Sequence, residues 1–252
     1  MDKKCGVTTT RRIVGGKVAA VNELPWLTLI TYNNTIQCGG TLINDRYVLT
    51  AAHCIRGFDR QLFELKFLEY NTASSMDTVS VRRKISRVHS LKTYIPKTSD
   101  DDIAILKLSK PIDFDTTTVR PICLPPQGLD LTGETGTISG WGTAAATEEE
   151  NSTIALQTTE VPILSNDQCL LVGMKLTDNM VCAGRLLDGE INACQGESGG
   201  PLMVMDKKRH LLAGVISWGD GCAKPLKPGI YARVTRYLPW INKHTKGSFY
   251  ES

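Results

Sequence analysis

The chain has 252 residues, with 29 Lys and Arg against 26 Asp and Glu, and its formal net charge is +3 at pH 7. A balance this close to neutrality gives no indication of a nucleic-acid partner. The length fits one large all-β unit or two small domains, and it allows a substantial core. No apolar run approaches about 18 residues, so we expect no membrane-spanning helix.

The first residues and the cysteines differ in what they indicate about the compartment. Met1-Asp2-Lys3-Lys4 is not followed by the apolar stretch of a signal peptide. The eight cysteines are nevertheless typical of an oxidising compartment. We therefore expect a secreted protein, as either a recombinant piece or a fragment of a longer precursor. Many cysteine pairings are possible, and no Cys-x-x-Cys or clustered Cys/His pattern indicates zinc, so we expect no metal and no cofactor.

Short strand-like runs, separated by Gly, Asn, Asp and Pro, follow one another along most of the chain. The predicted strands are 27–32, 41–43, 47–50, 63–67, 79–81, 103–108, 137–139, 202–205, 211–217 and 229–234. Many short strands with turn signals between them favour a β-sandwich or barrel. The linker 121–126, rich in Pro, divides the chain into halves of similar size, about 13–120 and 121–234. One helix is predicted at about 235–245.

A serine stands in a glycine-rich run directly after a cysteine, in Cys194-Gln195-Gly196-Glu197-Ser198-Gly199-Gly200-Pro201. A serine hydroxyl becomes a nucleophile when a base takes its proton and backbone N–H groups hold the developing oxyanion. The base is available in Thr50-Ala51-Ala52-His53-Cys54, and a carboxylate in Asp102-Ile103-Ala104. The order His53, Asp102, Ser198 matches one known arrangement of the catalytic triad. The Gly-x-Ser-x-Gly elbow of α/β-hydrolases is excluded, because those enzymes place the acid and the histidine after the serine.

From Ile13 to about His244, the chain resembles the chymotrypsin/trypsin family of serine proteases. The resemblance rests on seven motifs in order: Arg12-Ile13-Val14-Gly15-Gly16, Thr50-Ala51-Ala52-His53-Cys54, Asp102-Ile103-Ala104, Ser139-Gly140-Trp141-Gly142, Gly196-Glu197-Ser198-Gly199-Gly200-Pro201, Ser217-Trp218-Gly219 and Pro228-Gly229-Ile230-Tyr231. It implies an all-β fold of two antiparallel Greek-key β-barrels, with the active site in the cleft between them and a C-terminal helix. It also implies a serine endopeptidase that acts on protein or peptide substrates.

The resemblance implies a role for each motif. Ser198 is the nucleophile, His53 the general base and then acid, and Asp102 the group that orients His53. The N–H groups of Gly196 and Ser198 form the oxyanion hole. The residues implied in substrate binding are Asn192, Ser217, Trp218, Gly219 and Gly229.

The family resemblance also implies activation by cleavage. An upstream protease would cut after Arg12, separating a leader, residues 1–12, from the peptidase domain, residues 13–252. The new ammonium group of Ile13 would insert beside Glu197 and order the oxyanion hole. The implied disulfides are Cys5–Cys123, which would tether the leader, and Cys38–Cys54, Cys169–Cys182 and Cys194–Cys222.

Two residues depart from the family pattern. Glu197 stands where Asp is usual, and its extra methylene would overpack a tight pocket at a typical cost of about 1–3 kcal/mol. We therefore expect reduced activity or a mobile activation domain. Asn192 stands where trypsin-like members have the Asp at the floor of the specificity pocket. Without that carboxylate a Lys or Arg head would be buried unpaired, so we expect weakened basic specificity and a preference for a large neutral residue.

The remaining predictions concern modification, metal and partners. Asn33 and Asn151 begin glycosylation sequons. Glu69 and Asp77 lie where some relatives bind calcium, but the loop has few further carboxylates and is expected to be solvated. Protein inhibitors are expected partners. The alternative function is a catalytically weak or inactive protease-fold binding or regulatory protein, because of Glu197.

Overall fold

The computed structural model describes residues 5–8, 19–72, 80–141, 156–186, 198–219 and 226–245. Seven strands of these residues form the first sheet: β1 (Leu27–Tyr32), β2 (Thr35–Leu42), β3 (Tyr47–Thr50), β4 (Phe63–Phe67), β5 (Val81–Arg83), β6 (Ile85–Ser90) and β7 (Ala104–Leu108). A short 3-10 helix, Arg60–Leu62, precedes β4. All neighbouring strands in this sheet run antiparallel, in the order β5-β4-β1-β2-β3-β7-β6.

The second half of the chain forms a closed six-stranded antiparallel barrel and two helices. Its elements are β8 (Thr135–Gly140), β9 (Gln157–Leu164), α1 (Asn166–Leu171), β10 (Met180–Ala183), β11 (Pro201–Asp206), β12 (Arg209–Trp218), β13 (Gly229–Arg233) and α2 (Val234–His244). The strands follow one another around the barrel in the order β10-β13-β12-β11-β8-β9.

The two sheets share one topology. Three consecutive strands lie side by side in each, and the fourth returns to pair with the first: β4 beside β1, and β11 beside β8. This is the Greek-key arrangement. In the first sheet β5 and β6 are separated only by Lys84, yet they lie at opposite edges, β5 on β4 and β6 on β7. Because β5 and β6 are nearly continuous in the chain and reach both edges, the first sheet curls round as a partly open barrel, whereas the second is closed.

Hydrophobic alternation explains why these segments form barrel walls. In β4, Phe63, Leu65 and Phe67 are fully buried, whereas Glu64 and Lys66 between them are half-buried. Successive side chains of a strand point to opposite faces, so one face of β4 supplies core and the other faces outward. The sequence therefore selects both the strand and its register.

Core contacts join the two barrels. The indole of Trp26, which has no exposed surface, donates to the sulfur of Met203 on β11 at 3.1 Å. Helix α2 adds Tyr237, Leu238 and Ile241 to the same hydrophobic cluster. One continuous hydrophobic cluster therefore connects the two barrels.

The predicted fold class is confirmed, and the strands at 27–32, 47–50 and 63–67 agree with the structure residue for residue. Three strands and one helix were not predicted: β6, β9, β10 and α1. The expected strand at 79–81 starts later, at Val81, and the expected 41–43 is the end of a longer β2. The C-terminal helix begins at Val234 and ends at His244.

Candidate active site

The sheet of the first barrel brings His53 and Asp102 together. Thr50 at the end of β3 pairs with Ala104 at the start of β7. Since the two strands are antiparallel, the end of one and the start of the other lie at the same edge. His53 follows Thr50 by three residues and Asp102 precedes Ala104 by two, so both side chains leave the sheet at that edge.

Asp102 is buried and serves as the acceptor for His53 at two points. Its Oδ1 accepts the backbone N–H of His53 at 2.9 Å, and its Oδ2 lies 2.7 Å from the ring Nδ1. The carboxylate side chain is 1% exposed and that of His53 is 34% exposed. The buried acid therefore fixes the orientation of the ring, while part of the imidazole remains open to solvent.

Ser217 donates a third hydrogen bond to Asp102. Its hydroxyl lies 2.5 Å from Oδ2, and both side chains are buried. The pairing of β12 with β13 is irregular between Ile216 and Trp218, which leaves Ser217 in a bulge. A bulge changes the direction in which a side chain points. Here the bulge contains Ser217, whose hydroxyl contacts Asp102 of the first barrel. Ser217 was predicted only as a substrate-binding residue, and its contact with Asp102 was not predicted.

Ser198 is connected to the same region through the backbone. Its carbonyl accepts the N–H of Gly39 on β2 at 2.8 Å. Cys38, next to Gly39, is disulfide-bonded to Cys54, next to His53. The N–H of Gly199 donates to Ile216 in the second barrel at 2.8 Å. The serine is thus anchored to both barrels.

Gly199 has to be a glycine. Its φ is +80°, and a Cβ there would lie 2.6 Å from the carbonyl oxygen of Gly39 and closer still to Thr50 Oγ1. Since Thr50 Oγ1 itself donates to Gly39 O at 2.8 Å, the backbone beside Ser198 packs directly on the strand that leads to His53.

The walls of the predicted specificity pocket are partly described. Trp218 pairs with Ile230 next to Gly229, and Gly219 has open space where a side chain would stand. The predicted residues outside the described part of the chain are Asn192, Cys194, Gly196, Glu197, Cys222, Arg12, Ile13, Asp77 and Asn151.

Within the described residues, three of the four expected disulfides are present: Cys5–Cys123, Cys38–Cys54 and Cys169–Cys182. The fourth, Cys194–Cys222, lies outside them. Cys5 also begins a short backbone ladder, in which Gly6 N–H donates to Pro121 and Gly6 O accepts from His210 N–H. Among the described residues, one group of three possible metal donors was found, Cys38, His53 and Cys54. It does not suit a metal ion, because two of its sulfurs form a disulfide rather than thiolates.

The sequence did not predict the contacts of Asp100 and Asp101, which precede Asp102. Asp100 Oδ1 accepts from Thr177 Oγ1 at 2.6 Å and from Asn179 Nδ2 at 3.2 Å. Asn179 Nδ2 also lies 3.2 Å from Asp101 Oδ1. These bonds attach the loop that carries Asp102 to the second barrel. The run of three aspartates in the sequence does not indicate which residues they contact.

The family model described as Trypsin matches residues 13–241. The chain belongs to the trypsin family of serine proteases.

Three curated relatives show how much of a trypsin-family protein this chain represents. It is 36% identical to serine protease filzig and 35% identical to serine proteinase stubble, both of Drosophila melanogaster, over 96% of its length in each case. It is 38% identical over 94% of its length to transmembrane protease serine 9 of Rattus norvegicus. The aligned part is 15%, 33% and 22% of those relatives, respectively. The chain therefore spans at most a third of them.

Among the residues that the structure describes, no helix combines the length and the apolar character that crossing a membrane requires.

Proposed function

We propose that this trypsin-family chain is the peptidase domain of a secreted serine endopeptidase, which hydrolyses protein substrates through an acyl-enzyme at Ser198. The observation that carries the proposal is the buried carboxylate of Asp102, which lies 2.7 Å from Nδ1 of His53 and accepts a further bond from Ser217. A buried acid on one ring nitrogen holds the imidazole with its other nitrogen ready to accept a proton.

In the proposed reaction, His53 takes the hydroxyl proton of Ser198 as the oxygen attacks the scissile carbonyl. Asp102 stabilises the resulting imidazolium, which then protonates the leaving amine. Water repeats the sequence to release the acyl group. The N–H groups of Gly196 and Ser198 are the proposed oxyanion donors, each typically worth about 2.7–4 kcal/mol.

The proposed enzyme is a zymogen. A second protease cuts after Arg12, and the ammonium group of Ile13 pairs with Glu197 to order the oxyanion hole. The leader remains attached because Cys5 is bonded to Cys123. On a non-reducing gel the cleaved chain should run as one species, and a reductant should release the leader. Release without reductant would contradict the tether.

Specificity is proposed to depend on Asn192. A Lys or Arg head without a carboxylate partner would cost roughly 3–5 kcal/mol, which is more than about a hundredfold in rate. The preferred residue at the cleaved bond is therefore large and neutral. Asn192→Asp should shift a peptide-library profile toward Arg, and a strong Arg preference in the unmodified protein would contradict the proposal.

Two proposals concern the secreted protein as a whole. Asn33 is exposed in the turn between β1 and β2, where a glycan could be attached; Asn151 is the second candidate. Protein inhibitors that occupy the cleft are the expected regulators.

An active-site probe tests the catalytic proposal. The chain is cleaved after Arg12 with an added protease and treated with a phosphonate that carries a large neutral residue. Mass spectrometry should find the label on Ser198, and Ser198→Ala should remain unlabelled. Absence of labelling in cleaved protein with intact disulfides would favour the alternative, an inactive binding or regulatory protein in which Glu197 prevents the oxyanion hole from forming.

A further inference from the structure

A cavity of about 650 Å³ lies beside the His53–Asp102 pair, outside the predicted specificity pocket. Its wall includes Ala52, which precedes His53, and Ala104, which follows Asp102 by two residues. Ala52 and Ala104 pack with Tyr94 in a small buried cluster. Burial and the nearby negative charge of Asp102 raise the pKa of Tyr94. Ala52, Ala104 and Tyr94 therefore line the cavity next to the His53–Asp102 pair.

Four basic side chains line the cavity from two segments of the chain: Arg56 and Arg60 from one, Arg87 and Lys92 from the other. All four are exposed, and none forms an ion pair with another residue in the described part of the chain. Asp59 is the acidic residue of the described lining, and its Oδ1 is engaged by the N–H of Gln61 at 2.9 Å. Although the whole chain is near neutral, this cavity has a marked excess of positive charge.

Two of the arginines are held in place by backbone carbonyls. Arg60 Nη1 donates to Ser86 O at 2.9 Å, next to an irregularity in the pairing of β6 with β7. Arg56 Nη1 donates to Tyr94 O at 3.3 Å, and its guanidinium lies 5.4 Å from the centre of the Tyr94 ring. Each guanidinium has five N–H donors, so a single backbone bond positions it and leaves donors for a ligand.

Apolar side chains form a further part of the lining, beside the polar Gln61 and Ser90, and this restricts the ligand. Ile55, Phe58, Val88 and Leu91 also line the cavity, and Phe58 is 40% exposed. A sulfated sugar could neutralise the charges but would leave this apolar surface in contact with polar groups. A polypeptide in which carboxylates alternate with apolar side chains satisfies both kinds of surface.

We propose that this cavity binds an acidic segment of a partner polypeptide, with its carboxylates on Arg56, Arg60, Arg87 and Lys92 and its apolar side chains on Phe58 and Leu91. Ala52 in the wall of this cavity is adjacent to His53 in the chain. The inference does not depend on the reactivity of Ser198.

Binding can be measured on the full chain carrying Ser198→Ala, which cannot consume the probe. The probe is a fluorescein-labelled twelve-residue peptide of alternating Glu with Leu or Phe, and fluorescence anisotropy reports its Kd. Its control replaces every Glu by Gln. The Glu peptide should bind, more weakly as salt rises, and the Gln peptide should bind at least about tenfold more weakly.

Two charge-matched double variants locate the site. Arg60→Gln with Arg87→Gln should weaken the Glu peptide by about tenfold or more, because charge-assisted contacts are lost. Lys207→Gln with Lys208→Gln removes the same charge at the distant β11–β12 turn and should change Kd less than about twofold. Equal weakening by both variants, or equal binding of the Gln peptide, would overturn the proposal.

Competition with a heparin tetrasaccharide tests whether the cavity binds a sulfated sugar rather than an acidic polypeptide. If it displaces the peptide at concentrations below the peptide's own Kd, and Arg60→Gln with Arg87→Gln abolishes that effect, the cavity is a sulfated-sugar site and the polypeptide assignment is wrong. Phosphonate labelling of Ser198 is measured separately, so failure of the proposed function and failure of this inference are distinguishable.

Discussion

The phenol of Tyr237 donates a hydrogen bond of 3.0 Å to Oδ1 of Asp101, the residue before Asp102. Tyr237 lies on α2, while Asp101 lies in the loop that leads into β7 of the first barrel. Burial and the charge of Asp101 raise the pKa of Tyr237 far above its ordinary value, so the phenol keeps its proton and remains a donor. The C-terminal helix thereby holds the loop that positions Asp102.

Tyr237→Phe should lower the free energy of unfolding by about 1–3 kcal/mol, because Asp101 loses a donor to its charged oxygen. It should also reduce kcat, since the loop before Asp102 is loosened. Urea denaturation and steady-state kinetics measure the two effects. Arg236→Gln, on the preceding residue of the helix, breaks an exposed pair with Asp178 and should cost less than about 1 kcal/mol. Equal losses in the two variants would show that the helix contact has no special role.

Ser217→Ala should lower kcat about ten- to a hundredfold with little change in KM, because a donor to the buried Asp102 is lost. Hydrogen bonds to charged groups contribute about 1.5–3 kcal/mol. The matched control is Ser139→Ala. Ser139 is also buried, but its hydroxyl has no hydrogen-bond partner among the described residues, so its removal should leave kcat nearly unchanged. If Ser217→Ala changes only KM, the serine acts on substrate rather than through Asp102.

Gly199→Ala should abolish most activity and destabilise the fold by more than about 2 kcal/mol. The added Cβ would meet Gly39 O at 2.6 Å, and the φ of +80° disfavours any side chain. Gly173→Ala provides the comparison, because Gly173 has φ +83° but nothing within 4 Å of the added atom. It should cost only the backbone strain, about 1 kcal/mol. Thermal denaturation separates the two, and similar melting temperatures would argue against the steric explanation.

The sequence predicted strands well where apolar alternation met a clear turn. β9 was missed because its first four residues are polar or charged and half-buried or exposed, and it contains Pro162, which usually argues against a strand. β10 is only four residues long. It is recognisable as a strand through its pairing with β13, which is distant in sequence.

The candidate site was predictable at the level of motifs but not of contacts. His53, Asp102 and Ser198 stand in distinctive short runs, so local sequence was enough to propose them. The partners that hold them are far away: Ser217 is 115 positions from Asp102, and Tyr237 is 136 positions from Asp101. Such pairs depend on a bulge in β12 and on the docking of α2, and neither leaves a local pattern.

His89 should make stability depend on pH below neutrality. Its ring lies 4.7 Å from that of His244 on α2, and burial, His244, Arg87 and Lys107 all lower its pKa. The unfolded chain titrates near the ordinary value of about 6.5, so it binds a proton before the folded chain does. Linkage then requires that the contribution of His89 is fully present above that value and is lost as the pH falls toward the lowered folded pKa.

His89→Gln should therefore flatten the decline in the free energy of unfolding between about pH 7.5 and 5.5. Urea titrations at several pH values measure this slope for the wild type and the variant. The variant retains His244, Arg87 and Lys107, so a flatter slope would be attributed to the loss of the His89–His244 pair. A slope that is the same in both proteins would mean that acid destabilisation arises elsewhere, and that the packing of His89 against His244 carries no pH dependence.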